Sequence, residues 1–249
     1  MFDFSDSENW NCGRFCESKF ISEDSLQSIR SWIDTQEWKD GLATLIWVKD
    51  SDAHQLKTNF ETKDTIPDHL FWSHVDSNSL FFKFTCPKSS STPLCTVTRT
   101  GGYYKPHFDK VTIGQFSTTI FLTDPDEYEG GELVLWIDGK EVFFKPKAGE
   151  GVTYGTGIGH RVNPVTKGER LALVFWTHSH WANLEDFDKW KYYSAITSFC
   201  DTDKDDNTVD NLYKFYNNTY NIHRLKSNHI FRKYIHLFKD IPKETFDRF

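Results

Sequence analysis

His107, Phe108 and Asp109, followed by His160 and then Arg170, are residue types that could do chemistry together. On an extended segment, a histidine and a carboxylate two residues apart project to the same side. A second histidine downstream completes a face of two imidazoles and one carboxylate. That donor set suits a non-haem Fe(II) with positions left open for substrates and O₂. Arg170, ten residues after His160, adds a fixed cation beside the metal. A guanidinium is the natural bidentate partner for a carboxylate-bearing co-substrate.

Other pairs of this kind do not compose a site. His74-Val75-Asp76 falls in a segment that reads as helical, where positions i and i+2 diverge by about 200° and cannot share a metal. His178 and His180 follow the strand carrying Arg170 and have no suitably placed carboxylate. Asp201-Thr202-Asp203-Lys204-Asp205-Asp206 starts like a calcium loop, but its sixth position is Asp206 and its twelfth Leu212, so the ligand set fails. Arg224, Lys226, Arg232 and Lys233 read as a charged outer helix face. Cys12 and Cys16 have no second pair with which to build a zinc site.

The elements that must position the chemistry follow from pattern. Hydrophobic residues are 38% and aromatic residues 16% of 249, ample for a core. Ser22 with Glu23-Asp24-Ser25 reads as a helix start, and Leu26, Ile29 and Ile33 continue at helical spacing. Residues 1 to about 20 read as irregular or extended. Asp40-Gly41 is a turn, and Leu42 to Val48 a strand. Ile66-Pro67 opens a helix through Leu70, Phe71 and Val75; Cys86 to Pro93 reads as a loop. From Leu94 to Trp176 short strands take over, at Phe116 to Leu122, Leu133 to Ile137, Gly149 to Tyr154 and Leu171 to Thr177. Asp138-Gly139, before Val142-Phe143-Phe144, is a two-residue hairpin signal. Gly101-Gly102 leads the chain into His107, and Gly157-Ile158-Gly159 into His160. Arg170, Ala172, Val174 and Trp176 alternate onto one strand face. Helical patterns return at 183–199, 208–220 and 228–239.

The formal charge, 29 − 36 = −7, gives no general pull toward phosphate backbones and argues against nucleic acid as a partner. No apolar run reaches the roughly 18 residues of a membrane span. The acidic start lacks a leader pattern. Five scattered cysteines suggest reduced thiols and a cytoplasmic setting.

At these residues the chain resembles the 2-oxoglutarate and Fe(II)-dependent dioxygenases, and within them the prolyl 4-hydroxylase-type branch called PKHD-type hydroxylases. The matching text is Gly101-x-x-Tyr104-x-x-His107-x-Asp109, then Thr119 through Asp124-Pro125 to Gly130-Gly131-Glu132-Leu133, then Gly159-His160-Arg161-Val162-x-Pro164-Val165-Thr166-x-Gly168-x-Arg170 and Phe175-Trp176. Trp38-x-Asp40-Gly41-x-x-Thr44 and Lys57-x-Asn59 also look like this branch. The likeness covers roughly residues 20–180. It implies an α+β, mainly β fold: a double-stranded β-helix of the jelly-roll or cupin kind, flanked by N- and C-terminal helices. It implies a dioxygenase domain over residues 1–182, with a β core at about 94–178 and helical support over 20–80, and a C-terminal helical extension over 183–249.

By the same resemblance His107, Asp109 and His160 would hold the iron. Arg170 would pair with the far carboxylate of 2-oxoglutarate, and Tyr104 and Trp176 would sit by the co-substrate or metal. Thr98 stands nine residues before His107, where related enzymes often carry Tyr; a shorter hydrogen bond is what it could keep. The implied reaction consumes 2-oxoglutarate and O₂, releases succinate and CO₂, and hydroxylates an unactivated C–H, with ascorbate as a candidate reductant. The implied substrate is a prolyl residue of a protein or peptide. A lysyl side chain, a small molecule or an alkylated base is the alternative, and a non-catalytic iron and 2-oxoglutarate sensor a third. Glu61 to Asp68 and residues 87–93 are candidates for covering the mouth. The oligomeric state is left open.

Overall fold

Ser22 caps the first helix, α1 (Glu23–Ile33), its hydroxyl accepting from the Ser25 N–H at 3.4 Å in a computed structural model of the chain. The described residues are 14–41, 57–75, 80–85 and 87–179. α1 buries Ile29 and Ile33. Arg30 near its end donates from Nε to the Leu122 carbonyl at 2.9 Å, which ties the helix to the sheet below.

Fourteen strands are described: β1 (Phe15–Lys19), β2 (Trp38–Asp40), β3 (Phe60–Thr62), β4 (Pro87–Ser90), β5 (Leu94–Arg99), β6 (Tyr104–His107), β7 (Phe116–Phe121), β8 (Glu129–Gly130), β9 (Leu133–Ile137), β10 (Lys140–Phe144), β11 (Glu150–Gly155), β12 (His160–Val162), β13 (Val165–Lys167) and β14 (Glu169–Ser179). The large sheet runs β1-β11-β7-β14-β5-β3-β2, with β4 also on β14; the smaller runs β10-β9-β12-β6, and β8 pairs with β13. All the pairings are antiparallel. The two main sheets share a core of Phe121, Val152 and Tyr154 from one and Leu133, Leu135 and Phe144 from the other. This is the double-stranded β-helix, and Arg14–Ser179 make one compact unit.

The other face of the large sheet is covered by α1, by α2 (Leu80–Thr85) and by two 3₁₀ turns, Asp68–Leu70 and Trp72–His74. Ile29, Phe71 and Phe81 meet Ile120, Leu173 and Phe175 there, all fully buried. Strand alternation decides which residues go where. In β7, Ile120 faces the helices and Phe121 the sheet interior.

The hairpin at Asp138-Gly139 forms as its sequence predicts. Both residues have positive φ, 50° and 78°, the conformation a two-residue turn between twisted strands requires. Three other expectations change. The helix expected from Ile66 through Val75 is a pair of 3₁₀ turns. Phe71, at φ −124° and ψ −69°, leaves the helical conformation between the two turns, and adjacent Phe71 and Trp72 both pack on Phe175, at 5.6 and 5.1 Å between ring centroids. The loop expected at Cys86 to Pro93 contains β4. The end of β14 continues past β5, and Thr177 and His178 pair with Ser90 and Ser89. The lead-in expected to be irregular holds β1 on the edge of the large sheet.

The strand expected at Leu42 to Val48, the helices expected beyond residue 182, the extension over 183–249, the Asp201 loop and His180 lie outside the described residues. Among the described residues no helix is long and apolar enough to cross a membrane.

Candidate metal centre

β6 ends at His107 and β12 begins at His160, and the two residues face each other as ladder partners. Asp109 follows two residues after the strand end. One ligand atom from each of the three lies within 4.8 Å of the others, and no other such cluster occurs among the described residues. Asp109 Oδ1 is 3.8 Å from His107 Nε2, and Oδ2 is 3.7 Å from His160 Nε2.

Backbone carbonyls set both tautomers. His107 Nδ1 lies 2.8 Å from the Lys105 carbonyl, and His160 Nδ1 lies 3.0 Å from that of Ile158. A carbonyl only accepts, so Nδ1 carries the proton and the Nε2 lone pairs turn toward Asp109. Burial and the neighbouring His160 hold the His107 pKa below the usual imidazole range, which keeps that ring neutral. Asp109 is itself held. Its Oδ2 accepts from Ser117 Oγ at 2.7 Å and from Trp176 Nε1 at 2.9 Å. Tyr104 stacks on His107, with ring centroids 3.7 Å apart.

His107, Asp109, His160, Tyr104 and Trp176 line a cavity of about 450 Å³ that also reaches Arg170, Thr98 and Val174. Arg170 sits on β14 and is 2% exposed. Its Nε and Nη2 have no hydrogen-bond partner in the protein, and no ion pair of Arg170 occurs among the described residues. Burial lowers its pKa, yet a guanidinium keeps its charge. The Phe121 ring lies 4.7 Å from Cζ and covers part of the group. Thr98, buried, is the ladder partner of Arg170 on β5.

The cavity has a second polar pole. Lys57 Nζ and Glu61 Oε1 are 3.4 Å apart, with side chains 3% and 5% exposed. Burial lowers the Lys57 pKa and raises that of Glu61, and their mutual attraction opposes both shifts. At the mouth, Phe108 and Ile113 are apolar and exposed, at 71% and 39%.

The structure therefore brings together His107, Asp109, His160, Tyr104, Trp176, Thr98 and Arg170. His178 stays apart, paired with Ser89 in the sheet. Of the segments expected to cover the mouth, Glu61 lines the cavity, while 62–68 and 87–93 do not. Ser117 and the Lys57–Glu61 pair were not legible as site residues. The inward parity of Ser117, Thr119 and Phe121 on β7 was the one available signal for Ser117.

The sequence profile of the 2OG-Fe(II) oxygenase superfamily matches residues 94–178. A PKHD-type hydroxylase of Delftia acidovorans (strain DSM 14801 / SPH-1) is 33% identical over 175 residues, which cover 64% of this chain and 75% of that protein. A PKHD-type hydroxylase of Pseudomonas putida (strain W619) is 34% identical over 173 residues, 63% of this chain and 74% of that one. In fold, the chain is similar to an oxidoreductase of the 2OG-Fe(II) oxygenase family from Burkholderia pseudomallei. The TM-score is 0.50 at 14% identity, over 66% of this chain and 87% of that one.

Proposed function

The chain belongs to the 2OG-Fe(II) oxygenase superfamily, with PKHD-type hydroxylases among its relatives, and on that premise we propose that it hydroxylates a prolyl residue of a protein or peptide. Membership implies Fe(II), 2-oxoglutarate and O₂ as the reacting partners. Together they supply oxidative decarboxylation to succinate and CO₂, with one oxygen atom delivered to a C–H bond.

The donor set fits such a metal. His107 and His160 would give neutral Nε2 atoms and Asp109 a carboxylate oxygen, leaving one side open. Ser117 and Trp176 orient Asp109. Arg170 fits the co-substrate, because a buried guanidinium with nitrogens lacking acceptors calls for an anion. Thr98 and Tyr104 would line the same end. The observation that carries the reading is this pairing: a metal-ligating face and an unneutralised buried cation in one cavity.

The prolyl assignment rests on the resemblance to the prolyl 4-hydroxylase-type branch. The exposed Phe108 and Ile113 at the mouth support a polypeptide laid across it. Five scattered cysteines support a reducing compartment such as the cytoplasm, where ascorbate could serve as reductant. Succinate release, measured with and without proline-containing peptides, tests the proposal. Stimulation by such peptides, with a mass gain of one oxygen on proline, supports it. Stimulation only by lysyl peptides, small molecules or alkylated bases would move the substrate class, and no turnover with iron bound would make the protein a sensor.

A further inference from the structure

Tyr128 lies beyond the cavity wall, in the segment joining β7 to β8. It is 3% exposed, and its hydroxyl has no hydrogen-bond partner in the protein. Arg170 is its neighbour: burial raises the phenol pKa and lowers that of the guanidinium, and the attraction between the two groups opposes both shifts. Three buried polar atoms therefore stand together without a satisfied hydrogen bond, namely Tyr128 Oη and Arg170 Nε and Nη2, and the phenol oxygen is the one of the three that can accept from the guanidinium.

The slot that holds this ring is built with care for its position. At Gly131, with φ +69°, an added Cβ would come within 2.9 Å of Tyr128 Cε2 and 3.2 Å of Arg170 Cδ. Lys145 clamps the ring from outside, its Nζ 4.0 Å from the centroid and donating to the Tyr128 carbonyl at 2.7 Å. A phenylalanine would fill the same slot. The hydroxyl adds nothing to packing, and buried without a partner it destabilises the fold. Its position beside an equally unsatisfied guanidinium is what distinguishes it. Phe121 restrains the face of Arg170, and a ring face cannot fix how the fork is turned within its own plane.

We propose that Tyr128 is a positioning residue for co-substrate binding: its hydroxyl sets the orientation of the Arg170 guanidinium, and thereby the selectivity of the cavity for a 2-oxo acid with a distal carboxylate. The inference rests on the reading of Arg170 given above. Tyr128 is not among the residues lining the cavity, so it acts through Arg170.

The test compares the full chain with Tyr128→Phe. Each is loaded anaerobically with Fe(II) and titrated by calorimetry with 2-oxoglutarate and with 2-oxovalerate, which lacks the distal carboxylate. The wild type should favour 2-oxoglutarate. In the variant its Kd should rise about 10-fold, a typical effect for a hydrogen bond to a charged group, while the Kd for 2-oxovalerate holds. The loss should appear in KM for 2-oxoglutarate more than in kcat. The melting temperature of the metal-free variant should hold or rise, because an unsatisfied buried hydroxyl is gone. A purely structural tyrosine predicts the opposite: a lower melting temperature and an unaltered ratio of the two affinities. That outcome overturns the proposal. A wild type that binds both acids equally well would overturn it too, and would locate the failure in the role given to Arg170.

Discussion

The helix-covered face of the large sheet and the face that looks into the cavity are made by the same strands, yet they are filled by different chemistry. On β14, Leu173 and Phe175 point to the helices and join a cluster of buried apolar side chains. Arg170, Val174 and Trp176 point the other way and line the cavity. On β7, Ile120 packs with the helices, while Ser117 reaches Asp109. The apolar face leaves nothing to be satisfied. The cavity face keeps a guanidinium without an acceptor and two imidazole nitrogens turned to a common point. A period of two is enough to place stability and chemistry on one strand without mixing them.

The division can be broken from either side. Asp109→Ala should have the largest effect on chemistry. Turnover should fall more than about 100-fold, beyond the range for losing a group one step outside the metal ligands, while the metal-free stability falls by about 1–3 kcal/mol, because Ser117 Oγ and Trp176 Nε1 lose their acceptor. Succinate release and urea unfolding on the same preparation check both halves. Phe175→Ala should do the reverse. Removing a fully buried ring should cost about 3–5 kcal/mol in urea unfolding, with KM for 2-oxoglutarate in the folded fraction left near the wild-type value. A large change in KM would mean the two faces are coupled.

Arg170→Met sharpens the contrast. Affinity for 2-oxoglutarate should drop by about 100-fold, on the order of 2–3 kcal/mol. Metal-free stability should hold or rise, since a buried charge without a partner is replaced by an apolar chain of similar length. Calorimetric binding and thermal melting report the two signs separately. The smallest effect is one of pH. The His107 pKa lies below its ordinary 6.5 in the folded state, so below that pH the unfolded chain binds the extra proton first. In chelator, stability should therefore decline as pH falls from about 6.5 toward the lowered folded pKa. The His107→Gln protein should show a shallower decline over the same range.

Much of the site was legible because its signals are local. His107-Phe108-Asp109 lies at a strand end, and Arg170 with its alternating neighbours lies on one strand, so spacing alone places them. Asp138-Gly139 names its own turn. What stayed hidden depends on partners distant in the chain. Residues 87–90 are polar and read as a loop; they become β4 only because the end of β14 offers a free ladder edge, where Ser90 and Thr177 also join hydroxyls at 2.9 Å. The segment at 66–75 has helical spacing, but Phe71 and Trp72 are both drawn onto Phe175 and the helix gives way to 3₁₀ turns. Ser117 carries no motif at all, and only the fold shows that its hydroxyl meets Asp109.

The central claim is that His107, Asp109 and His160 jointly hold one ferrous ion. Equilibrium dialysis of Fe(II) under anaerobic conditions, in the presence of 2-oxoglutarate, tests it most directly on the wild type, His160→Ala and His178→Ala. One iron per chain is expected in the wild type and in His178→Ala, with binding lost in His160→Ala. Undiminished iron in His160→Ala, or none in the wild type, would contradict the account.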